Sequence, residues 1–224
     1  EMADLQWKVY ETGNSDEVIH PLYGRWARNE NTSPVLPDYI MPVGAKEGDP
    51  STDPSLYNVN PNYTSSADLN SMYRIVRANK AGTDWYHEIF KPALINSQNI
   101  AVSGGNSSGN YLLSFNYFDQ EGTLINTYLK RYSLRANSQF NISDKIRVGQ
   151  NLAFVIANNM ISPTNSEGSA MGMAFRQQPI IPVRDIMGNY GGSFTVGGQL
   201  LGNSRNPVAI RERTRDNRNV QNKV

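Results

Sequence analysis

Residues Tyr132–Asn158 read YSLRANSQFNISDKIRVGQNLAFVIAN and carry the clearest structural pattern in the chain. Apolar residues such as Leu134 and Phe140 alternate with polar residues such as Arg135 and Asn137. A period of two is typical of a β-strand with one apolar and one polar face. Ser143-Asp144 interrupts the alternation only briefly. The stretch therefore predicts two long strands joined by a very short turn.

The same alternation extends towards the N-terminus. Asn99–Ser103 and Tyr111–Phe118 are predicted strands, and the composition of Gly104–Asn110 (GGNSSGN) predicts a tight turn. The two later strands reach roughly a dozen residues. Ordinary strands have about five or six, whereas tilted membrane strands need about 9–11. The polar face is rich in Ser, Asn, Gln and Gly, as expected of a water-filled lumen.

Connection lengths also alternate along the chain. The turns near Gly104 and Ser143 are short, whereas the connections before Gln98 and after Asn158 are long. Outer-membrane barrels have short periplasmic turns and long extracellular loops. We therefore predict an all-β fold, a partial transmembrane antiparallel β-barrel built as a meander of long strands, with long extracellular loops and short loop helices.

The prediction divides the chain into three parts. Residues 1–97 are expected to form an irregular extracellular loop region with short helices. Residues 98–158 should hold about four barrel strands with short periplasmic turns, and residues 159–224 a long loop region leading to the next strand. Within the flanks, apolar spacing predicts helices over Glu1–Glu11 and Asp68–Lys80, and the methionine-rich Gly168–Phe175 is expected to be a loop.

Composition excludes several classes of protein. The 224 residues include no cysteine, so disulfide scaffolds, thiolate zinc sites and thiol nucleophiles are ruled out. A net charge of +1 gives no electrostatic support for nucleic-acid binding. No apolar run approaches the ~20 residues of a membrane-spanning helix.

Motifs for catalysis and cofactor binding are weak. The glycine-rich Gly104–Gly109 lacks the lysine of a phosphate-binding loop and precedes a strand, so we interpret it as a turn. His87-Glu88 lacks the second histidine of a zinc motif, and no metal or cofactor is expected. Two carboxylate pairs could resemble those of a glycosidase, but solvated loop carboxylates are far commoner and we predict no enzyme; the pairs are Asp84 with Glu88 and Asp119 with Glu121.

Aromatic residues suggest two different roles. Four tyrosines near strand ends fit the interfacial girdle of a membrane barrel, while Phe115 and Phe154 lie mid-strand and would face lipid. The alternative is a sandwich core, in which the same face packs on another sheet. Three loop rings could stack on a sugar or peptide, although packing within their own loops is the commoner use; these are Trp26, Tyr39 and Tyr190. The four tyrosines are Tyr111, Tyr117, Tyr128 and Tyr132.

Several short segments together resemble the SusC/RagA-type TonB-linked outer-membrane proteins of Bacteroidetes. They follow the order of that family from about residue 1 to residue 210. The segments are EMADLQWKVY (Glu1–Tyr10), GTDW (Gly82–Trp85), NIAVSGGN (Asn99–Asn106), YLLSFNYFDQEG (Tyr111–Gly122), KRYSLRAN (Lys130–Asn137), PIIPVRDIMGNYGG (Pro179–Gly192) and NPVAI (Asn206–Ile210).

The resemblance implies a barrel fragment of a TonB-dependent receptor, without the signal peptide and plug of the family. It implies import across the outer membrane with a SusD-like surface lipoprotein, which delivers glycans or peptides, and with the TonB complex acting through the missing plug. Outer-membrane lipid would contact the barrel, and no nucleic acid is expected. No ligand residue can be transferred, because those positions vary with substrate.

A second hypothesis comes from a different class of protein. A secreted all-β carbohydrate-binding module would show the same alternation in a soluble sandwich. The two hypotheses differ in what contacts the apolar side chains, which is lipid in the barrel and a second sheet in the sandwich.

Overall fold

The computed structural model describes residues 1–57, 74–160, 166–193, 201–214 and 219–223. Contacts group the chain into two compact units. Unit 1 comprises Glu1–Glu88 with Thr164–Ile210, and unit 2 comprises Ile89–Pro163 with Arg211–Val224. The elements in chain order are α1 (Met2–Thr12), β1 (Glu17–His20), β2 (Gly24–Ala27), β3 (Tyr39–Met41), β4 (Val76–Arg77), α2 (Trp85–Ile89), β5 (Ile95–Asn106), β6 (Gly109–Glu121), β7 (Tyr128–Ser143), β8 (Ile146–Met160), α3 (Ala170–Arg176), α4 (Pro207–Arg213) and β9 (Asn219–Lys223).

Helix α1 forms where the apolar spacing predicted it, and it buries Ala3 and Trp7. The Trp7 ring packs beside Tyr10 and Tyr23, with ring centroids 5.8 and 6.5 Å away. Tyr10 in turn lies 5.9 Å from the ring of Trp26 in β2. An aromatic cluster therefore attaches α1 to the β1–β2 hairpin.

Two predictions of local structure in the flanks were wrong. Within Asp68–Lys80, residues 68–73 lie outside the described range, but Val76–Arg77 is strand β4, because Val76 pairs with Met41 and is buried. The stretch predicted as a methionine-rich loop contains α3. The Ser169 hydroxyl caps α3 by accepting a hydrogen bond from Gly172 N at 3.1 Å, and Met173 is buried.

No helix among the described residues is long and apolar enough to span a membrane.

Two segments of the family resemblance contact each other in unit 1. Thr83 donates from its backbone N to Pro179 O at 2.7 Å, and its hydroxyl donates to Ile181 O at 2.7 Å. The indole N–H of Trp85 donates to Gln178 O at 3.1 Å. The GTDW segment is therefore held against the chain that enters PIIPVRDIMGNYGG, over a sequence separation of more than ninety residues.

A buried carboxylate organises the next part of that segment. Asp185 accepts hydrogen bonds from Tyr57 Oη at 2.7 Å, Arg74 Nη2 at 3.2 Å and Asn189 N at 2.9 Å. Its side chain is fully buried, so these donors replace water around the charge. Asn206 adds a second brace, because its amide donates to Val183 O and Gly191 O, both at 2.9 Å.

Unit 2 is built on an antiparallel sheet with the strand order β5-β6-β7-β8-β9. The first four strands contain 12, 13, 16 and 15 residues. These lengths exceed the roughly five or six residues of an ordinary strand and also the ~9–11 needed to cross a bilayer with tilt. Among the described strands, β5 and β9 each have a neighbour on one side only.

The tight turn predicted within Gly104–Asn110 is present, but it is shorter than that stretch. Strands β5 and β6 continue in register until Asn106 pairs with Gly109, so only Ser107 and Ser108 form the turn. The Asn106 carboxamide oxygen accepts hydrogen bonds from the backbone N of both Ser108 and Gly109, at 2.8 and 3.2 Å. These two local hydrogen bonds replace the cross-strand backbone hydrogen bonds at the turn, so Gly104, Gly105 and Gly109 remain within the strands.

The connection between β6 and β7 is held by a buried arginine. Arg211 donates from Nε to Ile125 O at 3.0 Å and from Nη2 to Asn126 O at 2.8 Å. It is only 2% exposed, and burial lowers its pKa from the usual value. Asn126 adopts a positive φ of 57°, in the left-handed region that Asn tolerates better than most residues.

Candidate functional site: the two faces of the sheet

The register of β5–β8 sorts side chains into two faces with opposite character. The first, here called the apolar face, contains the cross-strand row Ile100–Phe115–Leu134–Phe154. The four side chains of this row are exposed, from 37% for Phe154 to 67% for Ile100, so no second sheet among the described residues packs on them. Further large apolar members of this face are Val102, Leu113, Phe140, Ile142, Ile146, Val148, Leu152 and Ile156.

The two ends of the sheet are also different. The turn end carries the short connections at Ser107–Ser108 and Asp144–Lys145. At the opposite end, here called the loop end, β5 begins and β8 ends, and Ile95 and Met160 lead to the longer connections.

Aromatic and charged groups mark the limit of the apolar face near the loop end. Tyr117 and Tyr132 are paired across β6 and β7, with ring centroids 5.2 Å apart. In the next row, Lys130 Nζ lies 3.2 Å from Asp119 Oδ2, which also accepts a hydrogen bond from Tyr117 Oη at 2.8 Å. Tyr128 follows on the same face and donates to Asn158 Oδ1 at 3.4 Å. The face thus changes from aliphatic to aromatic and then to charged.

Tyr111 lies on the same face near the turn end. Its ring covers Gly104, its cross-strand partner in β5, so closely that a Cβ at Gly104 would lie 2.7 Å from Tyr111 Oη. Such a ring over a strand glycine shields backbone that has no side chain. Phe140 and Val148 continue the apolar surface beyond it, towards the Asp144–Lys145 turn.

The opposite surface, here called the polar face, is lined mainly by amide and hydroxyl side chains. One cross-strand row is Ser103–Leu112–Asn137–Asn151. Near the turn end this face forms an open concavity of about 790 Å³. Arg147 lies beside it and donates from Nε to Asn141 Oδ1 at 3.0 Å.

A cation also lies on the polar face near the loop end. The guanidinium carbon of Arg131 is 5.3 Å from the centroid of the Phe118 ring, a distance typical of a cation–π contact. Arg135 lies four residues further along β7 on the same face, in a row with Ser114 and Ala153. The alternation in the sequence placed Arg135 on the polar face, but sequence reasoning assigned a function to neither arginine.

The three predicted substrate-contacting rings lie in unit 1 and are packed to different degrees. Trp26 and Tyr39 are 3% and 6% exposed. Trp26 packs against Tyr10, and the Tyr39 hydroxyl donates to Glu47 Oε2 at 3.3 Å. Tyr190 is partly exposed, and the Arg184 guanidinium lies 4.5 Å from its ring centroid. A role for these rings in substrate binding remains a prediction.

The carboxylates considered for catalysis are engaged locally. Asp84 accepts hydrogen bonds from the backbone N of His87 at 3.1 Å and pairs with its ring Nδ1 at 2.6 Å. These two bonds lower the pKa of Asp84 below its ordinary value, whereas a glycosidase acid needs a raised pKa. Among the residues with described positions, no three His, Cys, Asp or Glu side chains cluster as metal ligands would.

Comparisons with known proteins identify relatives of one kind. TonB-dependent receptor P3 of Formosa agariphila is 38% identical over 72 residues, which is 32% of this chain and 7% of that receptor. TonB-dependent receptor P26 of the same organism is 29% identical over 126 residues, or 56% of this chain and 12% of the receptor. The TonB-dependent receptor SusC of Bacteroides thetaiotaomicron is 27% identical over 104 residues, or 46% and 10%.

The chain therefore spans between 7 and 12% of the length of these three curated relatives. A solved structure of the RagAB peptide importer in its closed-closed state shares 31% identity over 49% of this chain and 12% of that one, with a TM-score of 0.42. No family model matches the chain.

Proposed function

We propose that the long-stranded sheet is part of the wall of an outer-membrane barrel that imports nutrients. The proposal starts from the similarity of this chain to TonB-dependent receptors of the SusC/RagA type. The resemblance predicted from the sequence is confirmed by the three curated relatives, and the all-β antiparallel fold is confirmed with it. The activity of the whole receptor and its location are part of the proposal.

The exposed apolar face is the observation that carries the proposal. A water-soluble sandwich would bury this face against a second sheet, yet the four side chains of its central row, Ile100–Phe115–Leu134–Phe154, are at least 37% exposed. Lipid is the solvent that accepts such a surface. The face also ends as a lipid-facing surface should, with tyrosines followed by the Asp119–Lys130 pair near the loop end.

The height of the apolar face agrees with that of a bilayer. From Ile142 to Tyr132 the chain advances ten positions along β7. At about 3.4 Å per residue, and with strands tilted by about 40°, this corresponds to roughly 26 Å across the membrane. The apolar band of outer-membrane barrels is about 25 Å tall.

The orientation follows from the connections. We place the two-residue turns on the periplasmic side and the loop end on the extracellular side, because outer-membrane barrels have short periplasmic turns and long extracellular loops. The division predicted from the sequence, with residues 1–97 and 159–224 as loop regions around the strands of 98–158, stays part of this proposal.

Partners and cargo follow from kinship and belong to the same proposal. A SusD-like surface lipoprotein would deliver a glycan or peptide, and the TonB complex would act through a plug to release it into the periplasm. The chain would act in transport and not in catalysis, in keeping with relatives that are receptors.

Fractionation of the receptor that carries this chain tests the proposal. We expect outer-membrane recovery and a band whose mobility on a gel shifts when the sample is boiled, because a folded barrel resists detergent until heated. Recovery as a soluble secreted protein without a heat shift would refute the barrel and favour the carbohydrate-binding module.

A cysteine pair distinguishes the two faces directly. The chain has no cysteine, so Phe154→Cys and Ala153→Cys would label opposite faces of β8. We expect a membrane-impermeant thiol reagent to reach Ala153→Cys and to miss Phe154→Cys in the intact membrane. Equal labelling of both would contradict the assignment of the apolar face to lipid.

A further inference from the structure

The charged side chains of the polar face all have the same sign. Among the described residues of β5–β9, the register places four basic residues and no acidic residue on this face. The acidic residues of these strands, Asp119 and Glu121, lie in the rows of the apolar face. The four basic residues are Arg131, Arg135, Arg147 and Lys223.

These cations are not neutralised by neighbouring carboxylates. In the part of the chain that the structure describes, none of the four forms an ion pair, whereas Lys130 on the other face pairs with Asp119. The contacts that position them leave the charge intact, since Arg131 stacks on Phe118 and Arg147 bonds to the Asn141 amide. All four are exposed, so their field extends over the polar face.

The three arginines form a line along the strands. Arg135 follows Arg131 by four positions, and Arg147 lies opposite Asn141, ten positions from Arg131 along β7. At about 3.3 Å per residue the successive gaps are roughly 13 and 20 Å, and the line covers about 33 Å from the loop end to the turn end. It therefore follows the whole length of the sheet.

We propose that this line of arginines favours acidic oligosaccharides as cargo, that is, sugars that carry carboxylate or sulfate groups. The inference rests on the proposed function, in which the polar face lines the lumen. A stretch of lumen wall that carries charges of one sign raises the local concentration of solutes of the opposite charge, and Arg forms bidentate bonds with planar oxyanions. The inference narrows the cargo to anionic solutes.

The neutral side chains of the polar face favour a sugar over an acidic peptide. Amide and hydroxyl groups donate and accept hydrogen bonds, as sugar hydroxyls require, and they line the space between the arginines. They include Asn116, Ser133, Asn137, Gln139 and Asn151. Peptide side chains would also need apolar sites, and large apolar residues are a minority on this surface, where β5–β8 place Ile95, Leu112, Phe118, Leu129 and Val155.

The charge of the polar face can be measured at one engineered thiol in the intact receptor. Asn137→Cys lies between Arg135 and Arg147 on the polar face. We expect an anionic methanethiosulfonate to react with it about three- to tenfold faster, relative to its rate with a free thiol, than a cationic one. The combined Arg131→Gln, Arg135→Gln and Arg147→Gln variant should bring the ratio close to one.

The matched control is Lys130→Gln, which removes one cation from β7 on the opposite face. It should leave the ratio unchanged, and receptor without the engineered cysteine supplies the background rate. A ratio of one or below in the parent receptor, or an unchanged ratio in the triple variant, would overturn the inference. The thiol reaction is measured only on heat-modifiable receptor recovered from the outer membrane. If the proposed function is wrong, the receptor will be absent from that fraction before any thiol reaction is measured.

Protection of the same thiol distinguishes the classes of cargo. We expect hexagalacturonate or a sulfated chondroitin hexasaccharide to slow modification of Asn137→Cys, and cellohexaose to have much less effect. The protection should weaken at high salt and in the triple variant. Protection by hexaglutamate without protection by either acidic sugar would overturn the sugar assignment, and so would equal protection by cellohexaose.

Discussion

His20 is the last residue of β1, and its ring accepts hydrogen bonds from the turn that leads to β2. Its Nδ1 accepts hydrogen bonds from the backbone N of Leu22 and Tyr23, at 3.2 and 3.1 Å. The ring is stacked on Tyr23 with centroids 4.5 Å apart. An acceptor role at Nδ1 requires the neutral ring with its proton on Nε2, and burial lowers the pKa of His20.

We predict that the β1–β2 turn loses stability in acid. Because the folded-state pKa of His20 is lower than the ~6.5 of an unfolded histidine, the contribution is complete above pH ~6.5 and is lost as the pH falls below it. Hydrogen exchange at the Tyr23 amide should accelerate between pH 6.5 and 5 beyond the intrinsic pH effect. His87→Gln, which alters the exposed histidine, should retain this acceleration and His20→Gln should lose it.

Arg211 is the second residue whose replacement should have a defined local effect. Arg211→Met leaves the Ile125 and Asn126 carbonyls without their donors, and unpaired buried acceptors cost about 1–3 kcal/mol each. We expect local opening of the Gly122–Thr127 connection to become easier by about 2 kcal/mol, which is roughly 30-fold faster exchange at the Gly122 amide.

Arg211→Lys provides the comparison for this effect. Lysine retains the charge but lacks the planar fork that reaches two carbonyls, so exchange should lie between that of the parent and that of Arg211→Met. Unchanged exchange in Arg211→Met would show that the connection is held by its own bonds, such as Gly122 N to Thr127 O at 2.8 Å.

Among the secondary-structure elements, β7 offers the sharpest contrast between the two faces. Leu134 lies in the middle row of the apolar face and Ser133, its neighbour, on the polar face. Leu134→Arg should destabilise the folded receptor in membranes by about 2–4 kcal/mol, because a mid-bilayer arginine is poorly solvated. Ser133→Arg should change stability by less than about 1 kcal/mol, since the proposed barrel would place Ser133 in a water-filled lumen.

Urea unfolding in lipid vesicles, followed by the heat-modifiable band, measures both variants on one scale. Similar losses for Leu134→Arg and Ser133→Arg would contradict the two-faced strand. The same experiment distinguishes the barrel from a soluble sandwich, because the variants of a sandwich would be folded and soluble without lipid.

For the whole molecule, the open sheet sets the expected behaviour of the chain by itself. The described strands form a five-stranded sheet with two unpaired edges, fewer strands than the eight of the smallest bacterial barrels. Unpaired edges template association in water and are not tolerated in lipid. We predict that the isolated 224 residues form oligomers or aggregates in detergent-free buffer, whereas the receptor in its membrane does not.

Size-exclusion chromatography with light scattering tests this behaviour. A monodisperse monomer that unfolds cooperatively in detergent-free buffer would contradict the prediction. It would also weaken the proposal that the sheet needs further strands to close.

Local sequence accounts well for the strands and poorly for the segments around them. The two-residue period of β7 and β8 was visible because successive side chains lie on opposite faces of the sheet, so the sequence itself alternates between apolar and polar residues. The exact length of β5 was not visible in the sequence. Its glycines indicated a turn by composition, whereas Gly104 and Gly105 are paired with β6 in the structure. Strand β4 was missed because its partner, β3, is remote in sequence.

The sequence by itself determined the all-β fold, the two faces of the sheet and the family resemblance, because each depends on periodicity or on short ordered motifs. The tertiary structure alone revealed why distant motifs occur together, as GTDW binds the segment around Pro179 and Asp185 gathers Tyr57, Arg74 and Asn189. It also aligned Arg131, Arg135 and Arg147 across two strands. Such contacts join residues that are distant in the sequence. They depend on strand register and burial, which are fixed only when the chain folds.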